Sequence, residues 1–155
     1  MRNVLNQSLY TISFDRDFEG VMRGCADRPG EGTWITKDFI NAYATLHELG
    51  FAHSVEAWNA EGELAGGLYG VSLGSMFFGE SMFARYSNAS KAAFVTLAHR
   101  LQRWNFSCID CQIMNPHLES LGAHHIPRDE FLQVLSTSLG HDTLRGKWTL
   151  NNTAV

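Results

Sequence analysis

The chain has 155 residues, 45% of them hydrophobic, and a formal net charge of -4, a composition typical of one globular domain with its own core. No apolar run approaches the roughly twenty residues of a membrane-spanning helix, and the acidic balance argues against a surface that coats nucleic acid. Because three cysteines cannot close a disulfide framework and residues 1–7 contain no apolar signal-peptide core, we expect a cytoplasmic protein.

The first half of the chain predicts a strand, two helices and a set of three strands. Residues 8–14 form the first predicted strand, after which Phe14-Asp15 opens a helix that ends near Pro29-Gly30. Thr36 is a candidate cap for a second helix, which stops at Gly50. Strands are then predicted over 51–58, 64–73 and 76–81, and the short turns between them indicate an antiparallel meander.

The second half of the chain completes this pattern. Ser87 or Asn88 can cap a third helix, whose apolar face extends to Trp104. A strand is predicted over 106–114, followed by a short helix that reaches Gly122 and a last helix from Arg128. This order matches the α+β, three-layer fold of the N-acetyltransferases, a mixed and mainly antiparallel sheet flanked by helices, in one domain over 1–155.

Two acidic residues stand inside apolar stretches of this predicted sheet. Glu80 lies within residues 76–83, and Asp110 lies within residues 108–114. An ionised carboxylate is costly to bury unless a charged or hydrogen-bonding group meets it. The fourth and fifth strands of an N-acetyltransferase fold splay apart, and here those strands carry Glu80 and Asp110. The sequence therefore predicts one polar site in an apolar cleft.

The loop before the third helix bears on whether a coenzyme A group binds. Glycines in this loop would allow backbone N–H groups to approach a pyrophosphate. The loop reads RYSNAS over 85–90, and Asn88 stands where the first glycine is expected. Because its side chain would obstruct that approach, we expect no coenzyme A and no other cofactor.

Nine short strings of the sequence form a distinctive set. They are EGTWIT at 31–36, HELG at 47–50, HSVE at 53–56, GGLYGV at 66–71, FGESMF at 78–83, NASK at 88–91, IDCQ at 109–112, SLGA at 120–123 and IPR at 126–128. In these strings, and in their unbroken order, the chain resembles the catalytic domain of the leucyl/phenylalanyl-tRNA-protein transferase family from about residue 10 to residue 135.

The resemblance implies a bacterial enzyme that moves Leu or Phe, and in some cases Met, from aminoacyl-tRNA to proteins. The acceptor is the N-terminal amine of a protein that begins with Arg or Lys, which marks that protein for degradation. Members of the family carry an additional N-terminal domain that helps to hold the tRNA, and we expect this chain to lack that domain. The alternative to this enzyme is therefore a shortened paralogue. Such a paralogue would be either a non-catalytic module that binds peptides or aminoacyl groups, or an enzyme that uses a different acyl donor.

The resemblance also implies roles for three polar side chains. By this resemblance the carbonyl of Gln112 accepts a hydrogen bond from the attacking amine, and Asp110 helps to orient or polarise it. Residues two apart on a strand share a face, which would permit this coupling. Glu80 binds the amino group of the aminoacyl donor. The structural alternatives are a buried ion pair of Glu80 with Arg85 or another cation, and a strand edge turned to solvent for Asp110 and Gln112.

The remaining site residues implied by the resemblance are apolar, aromatic or basic. The donor side chain would be held by a pocket of five apolar residues, Leu68, Phe77, Met82, Leu97 and Ile109. The alternative is that these residues are ordinary core, as most apolar residues are. Trp34, with Tyr43, would stack on the terminal adenine, or Trp34 could anchor a helix start. Arg85 and Lys91 are candidates to contact the acceptor end of the tRNA. The alternative is that they belong to a helix face exposed to solvent.

Two further groups of residues contain cysteine. Cys108 and Cys111 with nearby histidines resemble half of a zinc site, but no second paired motif is present and thiols three apart on a strand point to opposite faces. A nucleophilic thiol at Cys111 is conceivable, yet a free cysteine is most often a small buried hydrophobe. We therefore expect no metal.

Overall fold

A five-stranded mixed sheet lies at the centre of the fold. The computed structural model describes residues 9–27 and 33–150. The strands follow one another in sheet order, antiparallel as far as β4, while β5 lies parallel to β4. They are β1 (Thr11–Phe14), β2 (Ala52–Trp58), β3 (Leu64–Leu73), β4 (Met76–Ala84) and β5 (Cys108–Asp110). The predicted α+β class and the predicted mixed sheet are confirmed.

Five helices accompany the sheet in the described part of the chain. They are α1 (Phe18–Ala26), α2 (Lys37–Glu48), α3 (Ala89–Arg103), α4 (Pro116–Ser120) and α5 (Arg128–Leu139). Helices α1 and α2 pack on one face of the sheet and α3 packs on the other, which gives the predicted three layers. Within the described ranges, none of these helices is long and apolar enough to cross a bilayer.

Several predicted element ends differ from those observed. The Thr36 side chain caps α2 as predicted, by accepting a hydrogen bond from the Phe39 N–H. Helix α1 begins at Phe18 and is capped by Asp17, so the predicted start at Asp15 is wrong. Asn88 precedes α3 with φ +65° and makes no side-chain cap bond. The predicted helix end at Pro29-Gly30, residue 8 of the first strand and residues 31–32 of the first family string lie outside the described residues.

Strand β5 differs most from its prediction. It covers three residues instead of 106–114, and its pairing with β4 ends where Phe78 meets Asp110. Beyond that point Gln112 adopts a left-handed conformation with φ +62°, which no strand residue can have. The prediction that Asp110 and Gln112 share a strand face is therefore wrong.

Two hydrophobic clusters form the core, one on each face of the sheet. The cluster beneath α1 and α2 is built around Phe18, Val21, Met22 and Tyr69. The cluster beneath α3 contains Leu68, Phe77 and Leu97, together with Trp104 and Trp148. The α3-side cluster includes three of the predicted donor-pocket residues, so the candidate site is continuous with the core.

A buried carboxyl group, that of Asp15, joins three distant segments. Asp15 is 3% exposed and lies just after β1 with φ +52°. Its Oδ1 accepts a hydrogen bond from the Ser54 N–H at 2.8 Å, and its Oδ2 accepts one from the Trp148 N–H at 2.7 Å. His53 Nδ1 lies 2.8 Å from the same Oδ2. A buried acid is tolerated here because both its oxygens are satisfied.

Trp148 holds the segment after α5 against the sheet. It is fully buried, and its ring stacks on His53 with the centroids 3.7 Å apart. It also meets Trp104 edge-on at 5.0 Å and lies 6.0 Å from Phe77. The sequence analysis assigned no role to this residue, because a single tryptophan outside any periodic pattern carries no signal of its contacts.

Glu56 is a second buried acid and lies on β2. Burial raises the pKa of its carboxyl, an effect partly offset by hydrogen bonds from Ser13, Ser54 and two backbone N–H groups. The Ser13 and Ser54 hydroxyls lie 2.5 Å from its two oxygens. The folded protein therefore holds this proton to a higher pH than the unfolded chain does.

We predict that Asp15→Asn destabilises the protein by about 3–5 kcal/mol, because an amide nitrogen would face a backbone N–H donor in a buried site. Urea unfolding gives the measurement. Asp142→Asn, a change at an exposed acid after α5, is the control and should stay within about 0.5 kcal/mol of wild type. A loss for Asp15→Asn no larger than that of the control would contradict the prediction.

For Glu56 we predict a stability difference that depends on pH. The contribution of a group whose folded pKa is raised is fully present below the unfolded value of 4.5 and is lost as the pH rises through the folded pKa. Glu56→Gln cannot titrate, so wild type should lose stability relative to this variant as the pH rises above 4.5. Urea midpoints at several pH values measure this loss, with the exposed Glu61→Gln as control; parallel curves for wild type and Glu56→Gln would refute it.

Candidate active site

The sheet opens where β4 and β5 part. Their parallel pairing covers three positions and ends at Phe78 and Asp110, whereas β4 continues to Ala84. The Gln112 side chain spans the start of the gap, because its Nε2 donates a hydrogen bond to the Gly79 carbonyl at 2.9 Å. The predicted splay of the fourth and fifth strands is therefore present, and it begins beside Glu80.

Glu80 is the extra residue of a β-bulge. Tyr69 pairs with Ser81 and Gly70 pairs with Gly79, so Glu80 has no partner on β3. A bulge shifts the alternation of side chains along a strand by one residue. As a result Phe77 and Met82, an odd and an even position, pack on the same face of the sheet. The bulge therefore brings both residues to the α3 side.

A cleft of about 200 Å³ occupies this opening. Its lining is mainly apolar and comes from both faces of the sheet, from β5 and from the segment that leads into α4. The lining includes all five predicted donor-pocket residues, Leu68, Phe77, Met82, Leu97 and Ile109, together with Glu80. Tyr69, Phe94, Cys111, Ile113, Asn115 and Leu118 also line it, and the sequence analysis named none of them as donor-pocket residues.

The carboxyl group of Glu80 faces two tyrosines. Burial and the adjacent Glu80 carboxylate raise the pKa of Tyr43 to about 12, and the Tyr43 hydroxyl lies within hydrogen-bonding reach of Glu80. Burial also raises the pKa of Tyr69, with smaller contributions from Cys25, Glu80 and Tyr43. Both hydroxyls therefore keep their protons at neutral pH and can act as donors.

The structural alternative for Glu80 was an ion pair with Arg85. Arg85 forms no salt bridge with Glu80. Arg85 instead donates to the Leu64 carbonyl at 3.3 Å, and its guanidinium lies over the Phe83 ring. The carboxyl group of Glu80 lines the cleft near the two tyrosine hydroxyls.

Asp110 and Gln112 are held together by a turn. Oδ1 of Asp110 accepts a hydrogen bond from the Gln112 N–H at 2.8 Å, as in an Asx turn. This bond and the bond to the Gly79 carbonyl fix the exposed Gln112 in its left-handed conformation. Neither Asp110 nor Gln112 lines the cleft, and both lie at its β5 end.

A row of aromatic rings leads from the surface to Glu80. Trp34 is 52% exposed and meets Phe39 edge-on at 4.9 Å. Phe39 stacks on Tyr43 at 4.6 Å, and Tyr43 meets Tyr69 edge-on at 5.6 Å. Trp34 and Tyr43 thus lie on the same side of the sheet, although neither of them lines the cleft itself.

The residues between β4 and α3 form a separate polar region. Arg85 is exposed, and Lys91 is half-buried in the first turn of α3. The backbone of Asn88 adopts the left-handed conformation that glycine favours. The turn therefore has the backbone shape of a glycine turn, but it carries the Asn88 side chain.

The environments of Cys108 and Cys111 disfavour the reactive form of a thiol. Burial, followed by the charges of Asp110 and Cys108, raises the pKa of Cys111, which favours the protonated thiol over the nucleophilic thiolate. Burial and Asp110 act on Cys108 in the same direction. Residues 9–27 and 33–150 contain no group of three side chains suited to hold a metal ion.

Comparison with known proteins identifies relatives along most of the chain. Residues 1–136 match the family model described as leucyl/phenylalanyl-tRNA protein transferase. The chain is 54% identical over 152 residues to the leucyl/phenylalanyl-tRNA--protein transferase of Myxococcus xanthus, and the match covers 96% of this chain and 64% of that protein. It is 52% identical over 157 residues to the enzyme of that name from Nitrosospira multiformis, covering 100% and 67%.

Solved structures are similar in fold. A putative acetyl transferase from Pyrococcus furiosus matches with a TM-score of 0.55 at 13% identity, covering 76% of this chain and 95% of that one. An acetyltransferase of the GNAT family from Staphylococcus aureus matches with a TM-score of 0.55 at 12% identity, covering 90% and 97%. At these identities the likeness concerns the fold alone.

The sequence matches are far closer than the structural ones, and they span residues on both sides of the cleft, from the Trp34 segment to the turn at Gln112. The chain covers 64% of the length of its Myxococcus relative. It belongs to the leucyl/phenylalanyl-tRNA protein transferase family.

Proposed function

We propose that this chain carries the catalytic domain of an aminoacyltransferase. The domain moves Leu or Phe from aminoacyl-tRNA to the N-terminal α-amine of proteins that begin with Arg or Lys, in the cytoplasm. The observation that carries the proposal is the apolar cleft with one carboxylate, Glu80, at its wall and an amide, Gln112, fixed at its end. Family membership supports the same reaction.

The cleft fits the side chain of the proposed donor. Its apolar lining can bury an unbranched-at-β side chain such as Leu, Phe or Met. Leu68 and Met82 lie opposite each other on neighbouring strands, and Leu97 of α3 is fully buried nearby. A pocket of this kind separates side chains that differ by one methylene by only about 1–3 kcal/mol, so a small set of donors is expected.

The donor amino group is the proposed ligand of Glu80. An ammonium group in an apolar cleft needs a charged or strongly polar acceptor. Glu80 lines the cleft, and Arg85, the nearest cation along the strand, contacts the Leu64 carbonyl and the Phe83 ring instead. Trp34, at the exposed end of the aromatic row, is the proposed stacking partner of the terminal adenine.

The reaction is the aminolysis of an ester. The acceptor nitrogen attacks the carbonyl carbon of the aminoacyl ester, the new C–N bond forms, and the C–O bond to the ribose breaks. The proton lost by the amine ends on the ribose oxygen, directly or through water. Since a glutamine amide cannot serve as a base, the proposed role of Gln112 is to hold the amine through Oε1 while Nε2 remains bonded to Gly79.

Asp110 has two proposed tasks. Its Oδ1 fixes the Gln112 backbone, and the carboxylate supplies negative charge where an N-terminal Arg or Lys would approach. Arg85 and Lys91 remain proposed contacts of the tRNA acceptor end, where each phosphate contact would make binding weaker at higher salt.

We predict that Gln112→Ala abolishes transfer of labelled Leu from Leu-tRNA to a peptide that begins with Arg, because the amide that holds the acceptor amine is removed. Gln112→Gly should abolish transfer equally and should be about 1 kcal/mol more stable than Gln112→Ala, because the φ of +62° suits glycine. Transfer is measured at low and at moderate salt, and stability by urea unfolding.

The matched control is Gln133→Ala, a change at an exposed glutamine of α5 outside the cleft. Normal transfer by Gln112→Ala would remove that residue from the mechanism. No transfer by wild type even at low salt would overturn the proposed enzyme in favour of a binding module or a different acyl donor.

The identity of the donor pocket can be tested by widening it. We predict that Met82→Ala shifts the ratio of kcat/KM for Phe over Leu towards the larger donor by up to about tenfold, because the smaller donor loses its contacts. Leu73→Ala, at the far end of β3 and outside the cleft, should leave the ratio unchanged. An unchanged ratio in Met82→Ala would place donor selection elsewhere.

A further inference from the structure

The Tyr69 hydroxyl is a buried polar group without a partner. Tyr69 is 0% exposed, and within the described part of the chain its hydroxyl oxygen has no hydrogen bond. Such a group costs free energy in a folded protein and requires an explanation in most native structures. The resemblance and the sequence patterns assigned Tyr69 no role.

The position of this hydroxyl points to a ligand. Tyr69 lines the cleft beside Glu80, and it follows Leu68 on β3, so the two residues reach the opening from opposite faces of the sheet. Its ring is fixed by edge-on contacts with Phe18 at 5.9 Å and with Tyr43 at 5.6 Å. A rigid ring leaves the hydroxyl little freedom to find a different partner.

The neighbouring groups define what that ligand must offer. Glu80 lies close enough to both tyrosines to influence them electrostatically, and Tyr43 already provides a hydroxyl within reach of its carboxylate. The three N–H donors of an ammonium group point in diverging directions, so a carboxylate on one side of the group leaves at least one of them without an acceptor. A hydroxyl oxygen with two free lone pairs, held beside that carboxylate, would provide the missing acceptor.

We propose that the Tyr69 hydroxyl is a second acceptor for the free α-amino group of the aminoacyl donor, acting beside Glu80. This inference rests on the proposed function, because it concerns the same cleft and the same donor. With two acceptors at the amine, the cleft selects aminoacyl groups whose α-amine is free. Donors whose amine is absent or acylated neither pair with Glu80 nor satisfy the buried Tyr69 hydroxyl, and they bind more weakly.

The test uses binding without chemistry. One probe is an adenosine that carries phenylalanine through a hydrolysis-resistant amide on its ribose, and the other is its des-amino counterpart with phenylpropionate. Calorimetry on the 155-residue chain gives the dissociation constant of each probe. The ratio of interest is the constant of the des-amino probe divided by that of the phenylalanine probe. We expect Tyr69→Phe to reduce this ratio about tenfold, because one hydrogen bond to a charged group is lost.

Two variants serve as controls. Glu80→Gln should also reduce the ratio, because it removes the charge that pairs with the amine. Tyr10→Phe removes a hydroxyl that donates to the Ser87 carbonyl at 2.8 Å outside the cleft, and it should keep the wild-type ratio. Thermal unfolding of the free proteins adds a separate readout. Tyr69→Phe should be at least as stable as wild type, since no hydrogen bond within the fold is lost.

Each outcome supports or overturns the inference. A ratio within about twofold of wild type in Tyr69→Phe, with both probes bound, overturns the role of Tyr69 and leaves the proposed function intact. A clear loss of stability in the free variant also overturns it, because the hydroxyl would then have a structural partner. If wild type binds neither probe, the donor site itself fails, and the proposed function fails with it.

Discussion

The carboxyl group of Asp15 is the constraint on which the arrangement of this domain depends. It joins the end of β1, the backbone of β2 and the segment that carries Trp148. The Trp148 ring in turn stacks on His53 and lies against Phe77, which forms part of the cleft wall. If one of these segments moved away, the buried carboxylate would lose a hydrogen-bond donor and the fold would be strongly destabilised. The three segments are therefore held together. The shape of the cleft is therefore linked to hydrogen bonds formed on the far side of its wall.

Much of the architecture was available from local sequence signals. The period of the apolar residues, the Thr36 cap and the turn residues around β3 predicted the order of elements and several of their ends. The mixed sheet followed from that order. The five apolar residues assigned by family resemblance converge on one cleft, because the fold brings β3, β4, β5 and α3 together there.

The features that were missed depend on long-range contacts. The early end of β5 follows from the turn at Asp110 and from a bond between Gln112 and Gly79, residues far apart in sequence. An aspartate after a strand is an ordinary signal for a helix cap, and the partners of Asp15 on β2 and beyond α5 leave no mark near it in the sequence. Tyr69 was hidden in a similar way, since an aromatic residue in an apolar strand indicates core and its unpartnered hydroxyl is visible only in three dimensions.

The bulge at Glu80 has a consequence for how this site can change through evolution. The extra residue both supplies the carboxylate and brings Phe77 and Met82 to one side of the sheet. Deleting that one residue would restore strict alternation along β4 and turn part of the wall towards the opposite layer. The carboxylate of the cleft and the arrangement of its apolar wall thus both depend on one inserted residue. A lineage that loses the residue loses the carboxylate of the cleft and part of its apolar wall in one step, whereas point substitutions can alter either property alone.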